Sequence, residues 1–590
     1  MCRIFGHFGG PPLPAVVLER VADAQRHGGP DAQRFVNTPG WSLGTNRLAI
    51  QGLEGGEQPY SFAGGIHVAF NGEIYNHGEL RRLLATHDYP PLDRCDGSVL
   101  APLYHLLGEE FVEYLDGMFA LAVIDCRHGE RLLLAADGAG MKSVYYYRSP
   151  LDGALCFASE LGALFRFPGV PRELRAEAID SFLTTRAVCG PESAFQGVYS
   201  LPPGGMLRYS SGREPELRSF ATRVQVAPPP EDLHAAGGML RTILEEEVSQ
   251  LVRADVPVGV VVSGGLDSSL ITALAARVKP GLPSFHLCYR GRWPDDERRF
   301  ARAAAARAGA DYHEIELDPR ELPELLVAAV RHLGQPNAAP HALSTLGLCR
   351  GIAAAGVRVA LAGEGADEFF GGYERFRLGV EDPPPWVDRY LDLFGPFPQS
   401  LKWQLYAPAF TALLGGGLDR AREMAVALEL DRSLPNILRF DQAERFPAYI
   451  LRRTDHLSMA AAVEVRLPFC QSRVRSFAAQ SPDRLKISAG RVKRVVYEAA
   501  AGLVPPAIMN RKKQPFTLPI VAMLAPGQPI FELIRDILTS SRCRQRGIFR
   551  GEAVLDLLRR QVESPESGTA NALWCLGVIE VWCREFLDNR

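Results

Sequence analysis

Three groups of residues in this sequence have types and spacing suited to chemistry. The first is Ser263, Gly264, Gly265, Leu266, Asp267, Ser268 and Ser269, which follows the apolar run 258–262 and precedes an apolar helical stretch from Leu270. Strand, glycine turn and helix start, in that order, let bare backbone approach phosphate oxygens, and the unpaired N–H groups of the helix end favour negative charge. No Lys-Ser or Lys-Thr follows the glycines, which excludes the Walker arrangement. The second group is GEGADEFFGGY at 363–373, which also ends an apolar strand. Phosphate chemistry needs a divalent cation, and magnesium takes a few carboxylates beside phosphates and waters; Asp267 and Asp367 are its candidate ligands. The third is Cys2. If the initiator methionine is removed, Cys2 carries the α-amino group, whose pKa of about 7.7–8.0 suits it as a base for a thiol near about 8.5.

The elements that must hold these residues follow from pattern. The run 258–262 is short and β-branched, as in a strand buried on both faces of a parallel sheet. After it the pattern alternates: helix to about 278, strand 285–289, helix 296–308, strand 312–317, helices 320–333 and 342–355, and a last strand at 357–362. That alternation predicts a parallel sheet with helices on both faces and ligands beyond the carboxyl ends of its strands. The first half is β-rich instead. It places Arg47 in a strand at 44–50, and a strand from residue 66 that runs into a polar turn at Asn71, Gly72 and Glu73. Asp96 stands at the N-cap side of a helix near Val99, and further strands are expected at 119–125, 131–136, 144–147 and 155–158. GAGMKS at 138–143 lacks the Walker spacing and reads as a turn. Pro and Gly crowd 199–231, then Leu240, Ile243, Leu244, Val248 and Leu251 keep helical spacing within 234–254. The expected division is 1–215, a linker at 216–232, and 233–590.

At 590 residues the chain exceeds the roughly 250–300 residues at which single cores stop growing. A net charge of −3 argues against a nucleic-acid partner, which usually needs a basic surface. No apolar run approaches the roughly 18 residues of a membrane span, and no signal peptide opens the chain, so no membrane partner and a cytoplasmic location are expected. Its 11 cysteines include no C-x-x-C pair, which disfavours a disulfide framework or a zinc site. Residues 375–440 and 525–590 read as amphipathic helix without chemistry; Leu573, Trp574 and Trp582 read there as packing residues.

Cys2 with its IFG, RHGGPD at 26–31, NRLAI at 46–50, NGEIYN at 71–76, DGMFALAVID at 116–125 and FASE at 157–160 resemble the class II glutamine amidotransferase domain. SGGLDSS resembles the pyrophosphate loop of the ATP pyrophosphatases. With GEGADEFFGGY, DHLSMAAAVEVRLPF at 455–469, GRVKRVVYEAA at 490–500 and NRKKQPFTLP at 510–519, the second half resembles the synthetase domain of asparagine synthetases. The resemblance implies a two-domain α/β and α+β fold. An N-terminal Ntn-hydrolase αββα sandwich would precede an adenine-nucleotide α-hydrolase-like parallel α/β domain with extra C-terminal helices. It implies Cys2 as nucleophile on glutamine, with Asn71 and Gly72 as oxyanion hole. Arg47 would hold the glutamine carboxylate, and Glu73 and Asp96 its ammonium.

In the second half it implies Val262, Ser263, Gly264, Gly265, Asp267, Ser268, Ser269, Leu287, Gly363 and Glu364 at ATP. Glu364 would also handle the acyl-adenylate and ammonia, Lys493 the leaving pyrophosphate, and Asp267 and Asp367 the Mg2+. ATP and Mg2+ are thus the implied cofactors, glutamine and a carboxylate acceptor (aspartate first) the implied partners, and a homodimer the implied assembly. Arg3 and Gly28 depart from the family pattern near the nucleophile. Ala362, Tyr497 and Cys470-Gln471 depart near the ATP site, which leaves open another carboxylic acid as acceptor, or a weakly glutaminase-active homologue using ammonia or another amine.

Overall fold

The structure, a computed structural model, describes residues 2–90, 93–294, 296–381, 386–414, 420–429, 431–488, 490–511 and 518–588. Met1 and residues 512–517 of the NRKKQPFTLP motif lie outside the described residues.

The first half contains two six-stranded antiparallel sheets. One runs Val198–Ser200, Tyr145–Arg148, Leu155–Ala158, Cys2–Phe8, Trp41–Arg47, Ala32–Asn37. The other runs Glu216–Ser219, Gly205–Tyr209, Arg131–Ala136, Gly117–Asp125, Ile66–Ile74, Tyr60–Phe62. Period-2 alternation gives each sheet one apolar face toward the other: Ile4, Phe8, Leu43 and Leu155 meet Ala69, Ala122, Leu134 and Leu207 in a shared core. Full burial of Ile4 or Phe8 there stabilises the stack by roughly 1.5–3 kcal/mol each. The helices His77–Ala85 and Leu100–Leu107 cover the outer face of the second sheet, through Leu80 and Leu103 on Phe70 and Leu121. Helix Ala15–Ala24 packs through Leu18 and Val21 beside the first.

Two local readings are corrected. Asn71, Gly72 and Glu73 are strand and not turn: they pair with Ala120, Phe119 and Met118, and this ladder overrides their polar composition. A Cβ on Gly72 would stand 2.0 Å from the Met118 carbonyl oxygen, so this close approach requires glycine. The strand Glu216–Ser219 pairs with Gly205–Tyr209 and carries the sheet into the segment expected to be linker.

The second half is built on a five-stranded parallel sheet in the order Asp311–Leu317, Pro283–Tyr289, Val258–Val261, Val359–Leu361, Glu464–Arg466. Val359–Leu361 is therefore not its last strand. Glu464–Arg466 is only three residues long and buried, too short to show a period. Strand order reverses at Val258–Val261, so the crevice between its carboxyl end and that of Val359–Leu361 is the expected ligand position. Both candidate loops open there. Trp574 and Trp582 are buried, and their indole N–H groups donate to Ala338 O and Gly334 O. Among the described residues no helix is long and apolar enough to cross a membrane.

Candidate active sites

Strand Cys2–Phe8 lies between two strands, but its first residue is paired on one side only, with Arg47, while the ladder to Leu155–Ala158 holds Phe5–Phe8. Cys2 is buried, and burial pushes its thiol up, while the chain's terminal ammonium, the Leu48 backbone N–H and Arg47 draw it back down. Its backbone N–H donates to Asn71 Oδ1 at 3.2 Å. The other end of the amide, Asn71 Nδ2, is buried without a partner. A buried donor without an acceptor costs about 1–3 kcal/mol, and an oxyanion beside Cys2 would satisfy it.

Arg47 pairs with Cys2 across the ladder, and its Nη1 and Nη2 donate to Gly55 O and Gly52 O, both at 2.7 Å. The guanidinium is held in place with these two of its five donors used. Asp96 does not cap the helix near Val99. It opens a 3-10 turn, Asp96–Val99, and its Oδ2 accepts from Ile74 N at 2.7 Å. Burial raises the carboxyls of both Glu73 and Asp96, and Asp96 and Glu464 raise Glu73 further by proximity. Glu73 Oε1 lies 3.6 Å from Arg466 Nη2, and its Oε2 is buried without a partner. Two buried carboxylates and one orphaned oxygen suit a ligand ammonium.

Sequence reasoning missed Gln58. Its Oε1 accepts from Phe70 N at 2.8 Å, and its Nε2 lies 3.5 Å from Cys2 Sγ. Nothing in GGEQPY signals this, because the contact depends on the facing strand.

The second site lies at the crevice of the parallel sheet. Gly264 adopts φ +83°, and a Cβ there would meet Ala301 N at 2.7 Å. Ser268 Oγ accepts from Ser263 N at 3.1 Å and lies 2.8 Å from Ser263 Oγ, and Ser263 Oγ accepts from Gly265 N at 3.3 Å. The loop is thus wound on its own serines around the start of helix Leu266–Val278. Gly363 packs directly on it: a Cβ would fall 2.8 Å from Ser268 N. Ser263, Gly265, Asp267, Ser268, Gly363, Glu364, Asp367 and Lys493 line one cavity of about 230 Å³. Val262, Ser269 and Leu287 do not line it; they are buried, Leu287 within strand Pro283–Tyr289. A larger cleft of about 950 Å³ opens beside Tyr75, His77 and Arg253, and none of the chemistry-bearing residues above lines it.

Lys493 joins the two loops. Its Nζ donates to both oxygens of Asp267 at 2.8 and 2.7 Å and lies 2.8 Å from Asp367 Oδ1. Burial opposes the ammonium, but the two aspartates outweigh it and hold it charged. Lys493 has φ 48°, a left-handed conformation that costs a non-glycine residue about 1–3 kcal/mol and is retained where surroundings over-determine it. Carboxylates that converge on one ammonium from two loops also fit a divalent cation shared with phosphates.

Further along the cavity Arg453 Nη2 lies 3.4 Å from Glu364 Oε1, and burial pushes His341 well below the usual imidazole value. Tyr497 lines this wall, and Cys470 Sγ lies 3.8 Å from Glu364 O. Arg453 and His341 were not legible as site residues, because neither belongs to a loop with a phosphate pattern.

Comparison with known proteins covers both halves of the chain. A family model described as asparagine synthase matches residues 239–584, and one described as glutamine amidotransferase domain matches residues 1–220. Glutamine-hydrolyzing asparagine synthetase 1 of Bacillus subtilis (strain 168) is 27% identical over 633 residues, covering 100% of this chain and 98% of that protein. Glutamine-hydrolyzing asparagine synthetase 3 of the same organism is 28% identical over 531 residues, covering 85% of this chain and 83% of its own length. Amidase chry2 of Gibberella zeae is 26% identical over 622 residues, covering 92% of this chain and 90% of its own.

Proposed function

Because this chain belongs to the asparagine synthase family, we propose that it takes ammonia from glutamine and, using ATP, joins it to a carboxylic acid, with aspartate as the leading acceptor. The observation that carries the reading is the convergence of Asp267, Asp367 and Lys493 on a serine-wound loop at the sheet's reversal point. The stacked sheets of the first half accord with an Ntn-hydrolase sandwich, and the parallel sheet with an adenine-nucleotide α-hydrolase-like domain. Glutamine chemistry falls to residues 1–215, extended by the strand to Ser219, and ATP chemistry to 233–590.

At the first site the α-amine of Cys2, freed by loss of Met1, takes the thiol proton, and its hydrogen bond to Asn71 Oδ1 orients it. The sulfur adds to the glutamine side-chain carbonyl. Asn71 Nδ2 and the Gly72 N–H receive the oxyanion, the amine returns its proton to the leaving ammonia, and water then releases glutamate from the thioester. Arg47 binds the α-carboxylate, and Glu73 with Asp96 binds the α-ammonium.

At the second site an acceptor carboxylate oxygen attacks the α-phosphorus of ATP, and the α–β bond breaks. Lys493 neutralises the departing pyrophosphate as a point charge. Asp267 and Asp367 would hold a magnesium ion, which would supply charge neutralisation on the phosphates. Ammonia then attacks the acyl carbon of the adenylate, AMP leaves, and Glu364 takes the excess proton. Arg453 beside Glu364 is the cation available to a second carboxylate on the acceptor, a need aspartate meets. Another dicarboxylic or amino acid acceptor is the second reading, favoured by Cys470 against the Glu364 backbone where the family pattern differs.

The test is a panel of carboxylic acids with Mg-ATP and glutamine, scored for AMP, pyrophosphate and glutamate. Turnover with aspartate supports asparagine formation. ADP in place of AMP would refute adenylation, and turnover only with another acid would refute aspartate alone.

A further inference from the structure

Arg3 follows the nucleophile and is fully buried. Successive strand residues face opposite ways, so with Cys2 turned toward Gln58 the Arg3 side chain points to the other face of the sheet. Its Nη1 donates to Asp455 Oδ2 at 2.7 Å, and its Nε lies 2.8 Å from Glu160 Oε1. The other Asp455 oxygen accepts from Lys142 Nζ at 2.7 Å. Two cations and two carboxylates are therefore buried together with charges matched. Burial opposes the charge on Arg3, but Asp455 and Glu160 outweigh it.

Gly28 lies against this side chain. A Cβ there would stand 2.7 Å from Arg3 Nε and 2.9 Å from its Cγ. The Gly28 backbone is not left-handed, so glycine is required there for room and not for conformation. The two departures near the nucleophile are thus one feature in space. At the far end of the contact, Asp455 lies on helix Arg452–Met459, the helix that brings Arg453 to Glu364. His27, Glu160 and His332 also bring ligand atoms within 4.8 Å of one another. However, Arg3 Nε and His27 Nε2 both approach the same oxygen of Glu160, at 2.8 and 3.0 Å, so the guanidinium already takes the position a metal cation would need.

Resting on Cys2 as the glutamine nucleophile, we propose that Arg3 is a positioning residue for glutamine hydrolysis. Its guanidinium, clamped between Glu160 and Asp455, holds the Cys2 end of the strand against the second half, and Gly28 is the space that the clamp requires.

The test is a four-member cycle in the full chain: native, Arg3→Ala, Gly28→Ala and the double variant. Each is measured for glutamine-dependent and ammonium-dependent AMP formation and for thermal unfolding. Arg3→Ala should lower glutamine-dependent kcat at least tenfold and leave ammonium-dependent turnover within threefold. Gly28→Ala should cost tenfold in the native background and less than twofold once Arg3 is gone, because the clash is with that side chain. Arg3→Lys, which keeps the charge with a single donor centre, should fold and show an intermediate loss on the glutamine route only; it carries the test if Arg3→Ala does not fold. Equal losses on both routes, or the same Gly28→Ala effect in both backgrounds, would overturn the proposal. Failure of the underlying reading is separate: a Cys2→Ala chain that still used glutamine would remove Cys2 from the mechanism, while the unfolding cycle would still report whether Arg3 and Gly28 share one space.

Discussion

Replacing Lys493 with Met keeps the length of the side chain and removes its charge, and two consequences follow. The Lys493 side chain is 3% exposed, and those of Asp267 and Asp367 are 18% and 17% exposed, so solvent compensates little for its loss. Removing one partner of a buried ion pair typically costs about 3–5 kcal/mol, because the remaining charge is stranded. Here two carboxylates would be left facing each other. The left-handed strain at Lys493 remains with Met, so it offsets nothing. The Lys493→Met chain should therefore unfold at a lower temperature than native without divalent cation, and Mg2+ should restore more of its stability than it adds to native. Loss of a charge-assisted contact to the leaving group should lower AMP formation by about 10²–10³-fold, equivalent to about 2.7–4 kcal/mol of transition-state stabilisation. The assay uses ammonium as nitrogen donor, so that glutamine hydrolysis cannot limit the rate. Native-like turnover, or an unfolding temperature that ignores both the substitution and Mg2+, would refute the assignment of Lys493 between metal site and leaving group.

Asn71→Ala should lower glutamate release by about 10²-fold or more with a small change in glutamine KM, as for loss of an oxyanion donor; a pure KM effect would place Asn71 in ground-state binding instead. Gly363→Ala puts a Cβ 2.8 Å from Ser268 N and should raise the KM for ATP at least tenfold and cost about 1–3 kcal/mol in stability; native values of both would mean the two loops are not packed as described. Glu73 has its carboxyl raised by burial and by Asp96. A carboxyl raised on folding binds its proton more tightly in the native state, so stability falls as pH rises from the unfolded value of about 4.3 through the folded one. Glu73→Gln should thus melt no lower than native near neutral pH, lose that advantage toward pH 4, and raise glutamine KM at least tenfold. A large loss of stability at neutral pH would show that its pairing with Arg466 dominates.

Much of the fold was legible from period and punctuation. The strand before SGGLDSS, the alternation after it and the helix at Leu233–Leu251 all follow from local apolar spacing. Errors arose where a ladder overrides composition or an element is too short. Asn71, Gly72 and Glu73 look like a turn until Gly117–Asp125 pairs with them, and Glu464–Arg466 has no room for a period. Asp96 sits where a cap would, yet its carboxylate serves the Ile74 N–H, a donor 22 residues away in sequence.

The sequence by itself determined which residue types stand where chemistry could occur: a cysteine at position 2, a glycine and serine turn after a buried strand, and acidic loops. These are readable because each depends on neighbours a few residues apart. Only the tertiary structure decided which of them act on one another, since those contacts join residues whose separation no local pattern encodes. Cys2 meets Asn71 and Gln58 across stacked sheets, Lys493 closes on Asp267 from 226 residues away, and Arg3 reaches Asp455 over 452. Burial then sets their charges, because whether a carboxyl or an ammonium keeps its proton depends on the desolvation and the partners found at that depth.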